Sequence, residues 1–187
     1  MGKLDGKRVA ILVAPEGVEQ VELTEPRKAL EEAGALTELI STRDGEVQAF
    51  EHLDRGERFA VDRVLADAHA SDYDALLLPG GVANPDALRQ DPGAVSFTRA
   101  FFEQHKPVAA ICHAPWTLVE AGVVDGRRLT SWPSLRTDIR NAGGEWVDEQ
   151  VVVDQGLVTS RRPDDIPAFN AKMVEEIGEG AHARQHA

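Results

Sequence analysis

The sequence predicts an α/β fold in which a mostly parallel central sheet carries helices on both faces. Two observations predict it. Several short, almost continuous apolar runs are typical of strands buried on both faces. Stretches with helical spacing lie between these runs, and strands that alternate with helices form parallel sheets. The functional residues of such a sheet lie beyond the carboxyl ends of its strands, so a functional site is expected there.

Each apolar run predicts one strand. Near the carboxyl end, QVVVD and LVTS flank the dipeptide Gln155-Gly156, which is typical of a hairpin turn. The turn RDG at residues 43–45 follows the apolar run at 35–42 and precedes a further strand candidate, EVQAF. The remaining predicted strands are 7–14 (KRVAILVA), 35–42 (ALTELIST), 74–78 (DALLL) and 107–111 (PVAAI).

Helical periodicity fills the segments between the strands. Leu23, Pro26, Leu30 and Ala33 are spaced by three or four residues, and Gly34 supplies a stop signal after them. The tail beyond the last helix, residues 178–187, is expected to be frayed. The other predicted helices are 93–105, 115–121, 134–142 and 165–177.

Length, charge and cysteine content restrict the class of protein. The chain has 187 residues, enough for one domain with a sizeable core, and we expect residues 1–187 to form it. A formal net charge of -12 disfavours stable binding to nucleic acid or to anionic lipid, and no apolar run reaches membrane-spanning length. A single cysteine and no signal-peptide pattern favour the reducing cytoplasm. No metal-ligand spacing or phosphate-binding motif is present, so we expect neither metal nor cofactor.

The single cysteine, Cys112, lies where a predicted strand turns into a predicted helix. This strand–turn–helix arrangement is that of a nucleophile elbow, with the small residues Ala110 and Ala114 placed two positions to either side. Amides at the start of the helix would favour the thiolate. A lone cysteine is more often buried and inert, but the polar His113 directly after it favours a reactive thiol.

Carboxylates follow the first strand in the segment APEGVEQVELTEP. They are Glu16, Glu19, Glu22 and Glu25, spaced by three. They could simply be solvated at the start of a helix. Pro26 argues otherwise, since it cannot donate to the carbonyl of Glu22, so the helix should start near Pro26 or kink at Glu22. A carboxyl at that irregular point could exchange a proton with the thiol, and the pattern leaves Glu19 and Glu22 as alternatives.

A Pro-Gly-Gly sequence follows the strand at 74–78. Gly80 and Gly81 would allow the backbone to approach a ligand and present amides to an oxyanion, although such a sequence is also common in plain loops. Asn84 or Asp86 could cap the short helix that follows.

Together, the motifs EGVEQVELTEP, LLLPGGVANPD and VAAICHAPW, with LTSWPSLRTDIRNAGGEWVD and GLVTSRRPDDIPAF, resemble the PfpI family, the superfamily of the Parkinson-associated deglycase, in its bacterial general-stress-protein branch. The resemblance covers almost the whole chain. It implies a flavodoxin-like sandwich and a homo-oligomer, most often a dimer.

The resemblance also implies roles for particular residues. Cys112 would be the nucleophile and His113 its neighbouring base or orienter. Glu22 would face the sulfur, four residues before the proline, and Gly80 and Gly81 would supply the oxyanion pocket. In the peptidases of this family an acid of the neighbouring subunit completes the triad; the matching Asp86 stands where glutamate is common. Trp132, where the archaeal peptidases have tyrosine, would line the pocket.

Four functions are compatible with these residues. The first is a stress-protective hydrolase, of the deglycase type, that acts on methylglyoxal- or glyoxal-derived groups of proteins or nucleotides and releases lactate or glycolate. The second is a cofactor-independent glyoxalase acting on the free dicarbonyl. The third is an intracellular cysteine peptidase. The fourth is a redox-sensing or chaperone-like stress protein whose single cysteine is oxidised.

Overall fold

The computed structural model describes residues 2–187 and contains the predicted central sheet. Numbered along the chain, the strands are β1 (Arg8–Val13), β2 (Glu16–Glu19), β3 (Leu36–Ser41), β4 (Glu46–Glu51), β5 (Asp54–Ala60), β6 (Arg63–Val64), β7 (Ala75–Leu78), β8 (Val108–Ile111), β9 (Arg128–Leu129), β10 (Glu145–Trp146), β11 (Val151–Asp154) and β12 (Leu157–Ser160). Seven of them form the central sheet in the order β11-β12-β8-β7-β1-β3-β6, and every neighbouring pair is parallel except β11 and β12.

The helices cover both faces of this sheet, as the alternation of apolar runs and helical segments predicts. Four of them agree with the predicted spans to within two residues, and the 3₁₀ turn Pro133–Leu135 directly precedes the helix that corresponds to the prediction at 134–142. The α-helices are α1 (Gln20–Glu32), α2 (Ala83–Leu88), α3 (Pro92–Glu103), α4 (Pro115–Glu120), α5 (Arg136–Asn141) and α6 (Ile166–Glu179). Within residues 2–187 none of them combines the length and the apolar character needed to cross a bilayer.

Side chains of β1 alternate between two apolar cores, one on each face of the sheet. Ala10 and Leu12 pack into the core under α3 and α4, whereas Val9, Ile11 and Val13 pack into the core under α1 and α6. This period of two is the reason why a strand buried on both faces is apolar at every position.

Three neighbouring strands end at the same edge of the sheet. β7 lies between β1 and β8 and is parallel to both. The segments that follow these strands therefore meet: the Glu-rich segment after β1, the Pro-Gly-Gly loop after β7 and Cys112 after β8.

A small three-stranded sheet lies beside this edge, and the sequence analysis did not predict it. It has the order β2-β4-β5, with β2 formed by the first residues of the Glu-rich segment. Only EVQAF was predicted as a strand here. No residue of β5 is fully buried, so the strand lacks the apolar alternation by which strands are found in a sequence.

Helix α1 begins at Gln20 and continues through Pro26 to Glu32. The predicted start near Pro26 is therefore wrong. Pro26 removes the hydrogen bond to the carbonyl of Glu22 and its ring crowds that carbonyl, and burial of Leu23, Pro26 and Leu30 on the inner face of the helix offsets this cost. Glu22 consequently lies in the first turn of this helix, and the alternative of a kink at Glu22 stays a prediction.

The tail is packed, so the expectation of a frayed segment at 178–187 is wrong. Residues 178 and 179 continue α6, and Gln185 is only 1% exposed. The N–H of His182 donates to the carbonyl of His105 at 2.8 Å, and the buried guanidinium of Arg127 donates to the carbonyl of His186. These contacts depend on residues distant in sequence, which a local pattern does not reveal.

Candidate active site

Cys112 occupies a sharp turn between β8 and α4, as the predicted nucleophile elbow requires. Its φ is 65°, in the left-handed region, which a residue other than glycine adopts at a cost in energy. Two hydrogen bonds hold this conformation: the N–H of Cys112 donates to Ser160 O at 3.0 Å, and Cys112 O accepts from the N–H of Trp132 at 2.8 Å. The side chain is 6% exposed and reaches a cavity beyond the sheet edge.

The amides that favour a charge on the sulfur belong to Gly81 and His113. The expectation that the first turn of α4 supplies them is wrong, because its amides are used within the turn. The N–H of Ala114 donates to Ile111 O and that of Trp116 to His113 O. α4 has only six residues, so its dipole is also small.

Glu22, rather than Glu19, is the carboxyl that meets Cys112. It is 1% exposed, its Oε2 accepts from the N–H of Gly80 at 3.1 Å, and it lies on the other side of Gly80 from the Cβ of Cys112. Its Oε1 is buried and has no hydrogen-bond partner within the described part of the chain. Glu19 lies at the cavity rim, where its carboxylate accepts from the N–H of His52 at 3.1 Å. Burial raises the pKa of Glu22 to about 8, so the carboxyl holds a proton near neutral pH.

Glu22 and Cys112 act as a pair in which ionisation of one opposes ionisation of the other. Burial raises the pKa of Cys112, and the negative charge of Glu22 raises it further, whereas the amides of Gly81 and His113 lower it. Loss of the first proton leaves one negative charge shared between sulfur and carboxylate. When the remaining proton is on Glu22, the carboxyl no longer repels the thiolate and can donate a hydrogen bond to it.

Gly80 allows this pair to form by leaving space between its members. A Cβ on Gly80 would lie 2.4 Å from Glu22 Oε2 and 2.6 Å from the Cβ of Cys112. The Gly80 amide is bound to Glu22, so of the two glycines only Gly81 directs its N–H to the sulfur. The prediction that both amides supply an oxyanion pocket therefore fails for Gly80. The backbone of Gly81 has a φ of 84° and lines the cavity.

Asn84 fixes the Pro-Gly-Gly loop to the end of β1, a role that the sequence did not suggest. It is fully buried; its Nδ2 donates to Pro79 O at 3.0 Å and to Gly80 O at 3.1 Å, and its Oδ1 accepts from the N–H of Ala14 at 2.7 Å. The prediction that Asn84 or Asp86 caps the following helix is wrong, because α2 has no side-chain cap.

His113 lies beside the sulfur, with Nδ1 3.1 Å from Cys112 Sγ. Its ring stacks on Trp132, with the centroids 5.7 Å apart, and contacts the ring of Trp116 edge to face. Burial lowers the pKa of His113 to about 4, so the imidazole is neutral at physiological pH. A neutral ring can accept the thiol proton or orient the sulfur. Nε2 faces Ser134 Oγ at 3.5 Å.

Asp86 does not join these residues within one chain. It is exposed on α2 and borders a separate groove with Arg89, Gln90 and Glu120. Among residues 2–187, its carboxylate forms no hydrogen bond with His113. The contact expected from a neighbouring subunit stays a prediction.

A cavity of about 460 Å³ gives access to the Cys112–Glu22 pair. Trp132 lines it, as predicted, and is 38% exposed. The hairpin of β4 and β5 contributes Phe50, His52 and Leu53 to the wall, a contribution that the sequence did not suggest. The rest of the lining comes from the segments after β1, β7 and β8 and from one later residue: Glu16, Gly17, Glu19, Glu22, Gly81, Val82, Ala83, Cys112, His113 and Pro163.

Comparison with known proteins identifies relatives over almost the whole chain. The model of the DJ-1/PfpI family matches residues 7–176. The protein named "General stress protein 18" of Bacillus subtilis is 46% identical over 170 residues, covering 90% of this chain and 96% of its own. The protein named "Putative cysteine protease YraA" of the same organism is 43% identical over 168 residues, with the same coverage.

Solved structures of related proteins share the fold. Drosophila melanogaster DJ-1beta has a TM-score of 0.83 and 30% identity, covering 92% of this chain and 90% of its own. A two-domain protein of Anabaena variabilis, with DJ-1/ThiJ/PfpI-like and ferritin-like domains, has a TM-score of 0.86 and 34% identity, covering 92% of this chain and 48% of its own. These neighbours have the flavodoxin-like fold and confirm the family resemblance drawn from the sequence motifs. The chain belongs to the DJ-1/PfpI family.

Proposed function

We propose that this protein is a stress-protective cysteine hydrolase that removes groups derived from methylglyoxal or glyoxal from proteins or nucleotides. The observation that carries the proposal is the buried contact between Cys112 and Glu22, whose pKa is raised to about 8. Such a carboxyl can give and take a proton near physiological pH. The name of a general stress protein among the relatives is consistent with this role.

On a free dicarbonyl, Cys112 Sγ would add to the aldehyde carbon and form a C–S bond. Glu22 would give its proton to the developing alkoxide and become a carboxylate. The carboxylate would then remove the C–H proton of the hemithioacetal, and reprotonation of the neighbouring carbon would give a thioester. Water would cleave this thioester, releasing lactate from methylglyoxal or glycolate from glyoxal and restoring the thiol.

On a glycated amine, the same sulfur would first displace the amine from the carbinol carbon. The departing nitrogen would take its proton from Glu22 or through His113, whose Nδ1 lies 3.1 Å from Sγ. The later steps would be the same. The cavity suits a substrate larger than the dicarbonyl itself, since Phe50, Leu53 and Trp132 form apolar walls and Glu16 and Glu19 lie at the rim.

The test is to incubate the purified protein with methylglyoxal and to follow lactate by proton NMR. Cys112→Ser should abolish lactate formation, and Glu22→Gln should reduce it by about 100-fold or more, as expected for loss of a general acid–base group. Glu19→Gln is the matched control, because it removes a neighbouring rim carboxyl without touching the pair. Parallel incubation with a methylglyoxal-modified peptide compares bound with free substrate.

Lactate from the wild type and not from Cys112→Ser would support carbonyl chemistry at the cysteine. Formation of lactate from the modified peptide faster than methylglyoxal dissociates from it spontaneously would favour deglycation over a glyoxalase activity on the free dicarbonyl. Absence of lactate would refute both the deglycase and the glyoxalase activity. Peptide cleavage and oxidation of Cys112 would then be the remaining functions. Wild-type turnover by Glu22→Gln would remove Glu22 from the mechanism.

A cysteine peptidase is the second candidate, favoured by the position of His113 beside the sulfur and by the name of one relative. It requires a third residue to orient the imidazole. In this proposal the chain forms a homodimer or larger oligomer, and Asp86 of a neighbouring copy supplies the acid. The exposed position of Asp86 on α2 is compatible with that arrangement.

A further inference from the structure

A second group of potential ligands lies at the end of α6, away from Cys112. Glu176 and Glu179 are three residues apart, so both point to one side of the last helical turn. The chain then reverses at Gly180, whose φ is 87°, and His182 follows. One carboxylate oxygen from each glutamate and one ring nitrogen of His182 lie within 4.8 Å of one another.

These side chains are held in place by the packed tail. The N–H of His182 donates to the carbonyl of His105 at 2.8 Å, which fixes the backbone of the tail against the main body. His182 Nε2 lies 3.3 Å from Glu176 Oε2, and the two side chains are only 17% and 10% exposed. The group is therefore partly preformed.

The charges around this group are unbalanced. Glu175, Glu176 and Glu179 are close together where the helix carbonyls also carry partial negative charge, and the last turn has no basic residue. Lys172 is bound to Glu175 at 2.9 Å. A cation at this position would offset the repulsion.

Gln185 gives an independent indication of a missing partner. It is 1% exposed, and neither Oε1 nor Nε2 has a hydrogen-bond partner within the described part of the chain. A Cβ placed on Gly156 would lie 2.7 Å from Gln185 Oε1 and 2.8 Å from Cδ2 of His182, so the amide oxygen and the imidazole both pack against Gly156. An unpartnered buried oxygen is costly unless it meets a donor or a cation.

We propose that Glu176, Glu179 and His182 bind a Zn²⁺ ion, with Gln185 Oε1 available as a further oxygen donor. Imidazole nitrogen and carboxylate oxygen are ordinary zinc ligands, at about 2.0–2.2 Å, and small side-chain movements would close the present separations to that range. The bound ion joins the last turn of α6 to the tail. It stabilises the folded protein, because the unfolded chain does not hold these ligands together.

The experiment is a titration of the Cys112→Ser protein with Zn²⁺ in competition with a chromophoric chelator, followed by thermal unfolding with and without Zn²⁺. The serine removes the thiol as a competing ligand. We expect one ion per chain and a higher Tm with Zn²⁺. Glu179→Gln and His182→Ala should each weaken binding by about tenfold or more and abolish the rise in Tm. Glu175→Gln and His186→Ala are the controls, since they alter an adjacent carboxylate and another tail histidine.

Three results would overturn the proposal. One is no Zn²⁺ binding by Cys112→Ser. Another is undiminished binding in both Glu179→Gln and His182→Ala, which would place the ion elsewhere. The third is a Tm that is the same with and without Zn²⁺. Glu179 is exposed, so its glutamine variant tests the site even if His182→Ala does not fold.

Discussion

Replacing Glu22 by glutamine should make the folded protein progressively more stable than the wild type as the pH rises. Burial raises the pKa of Glu22 from 4.5 to about 8. Between these values the folded protein keeps a proton on Glu22 that the unfolded chain has lost. The folded state thus binds more protons, and its stability falls as pH rises through this window. Glutamine does not ionise, so the stability of the variant does not fall in this window on account of residue 22.

The magnitude follows from the size of the shift. One pKa unit corresponds to about 1.36 kcal/mol, so a shift from 4.5 to about 8 corresponds to roughly 5 kcal/mol between the ends of the window. Glutamine keeps the acceptor for the Gly80 amide and nearly the same volume. Any change in its contact with Cys112 adds an offset that does not depend on the ionisation of residue 22.

Urea unfolding of the wild type, Glu22→Gln and Glu19→Gln at about pH 5 and about pH 8, with reductant present, measures this effect. The free energy of unfolding of Glu22→Gln relative to wild type should increase by several kcal/mol between the two pH values. The same difference for Glu19→Gln, on the rim, should change by less than about 0.5 kcal/mol. An unchanged difference for Glu22→Gln would refute the reasoning that burial holds the proton on this carboxyl.

Two further predictions concern other residues around the site. Asn84→Ala should lower the free energy of unfolding by about 2–4 kcal/mol, because it leaves the N–H of Ala14 and the carbonyl of Pro79 without partners and leaves Gly80 O with only the N–H of Glu19 at 3.4 Å. Asn170→Ala, which loses one bond of 3.4 Å, should cost under about 1 kcal/mol; equal losses in urea unfolding would contradict the role given to Asn84. Asp86→Ala should reduce cleavage of a fluorogenic peptide by about 100-fold and leave methylglyoxal turnover nearly unchanged, if a neighbouring subunit supplies the acid. Parallel loss of both activities would mean one shared mechanism or a damaged oligomer.

The sequence predicted those parts of the fold that depend on local pattern. β7, β8 and, after Arg8, β1 are apolar at every position because both of their faces are buried. The ends of these strands located Cys112 and the Pro-Gly-Gly loop. The hairpin at Gln155-Gly156 was found from its turn, and both residues have positive φ. The spacing of Glu22 from Pro26 selected the carboxyl through the family motif, whereas local reasoning left Glu19 as an alternative.

The remaining features depend on contacts between distant segments. β5 is an exposed strand of the small sheet and has no apolar pattern to detect. Asn84 is polar, yet it is buried because the loop that it supports folds over it. The amides that reach the sulfur come from Gly81, 31 positions before Cys112, as well as from the adjacent His113. Tail residues such as Gln185 pack because the segment around Gly156 lies against them.

Part of the cavity wall and the cysteine at its base belong to different sheets. Phe50, His52 and Leu53 belong to the small sheet, whereas Cys112 and His113 follow a strand of the central sheet. Leu53 is 93% exposed and occupies a two-residue turn, where changes of length and composition are tolerated. Hairpins could accordingly be exchanged between members of the family as modules. Such chimaeras would alter which molecules enter while inheriting an intact cysteine–carboxyl pair, so divergence of substrate range need not disturb the catalytic apparatus.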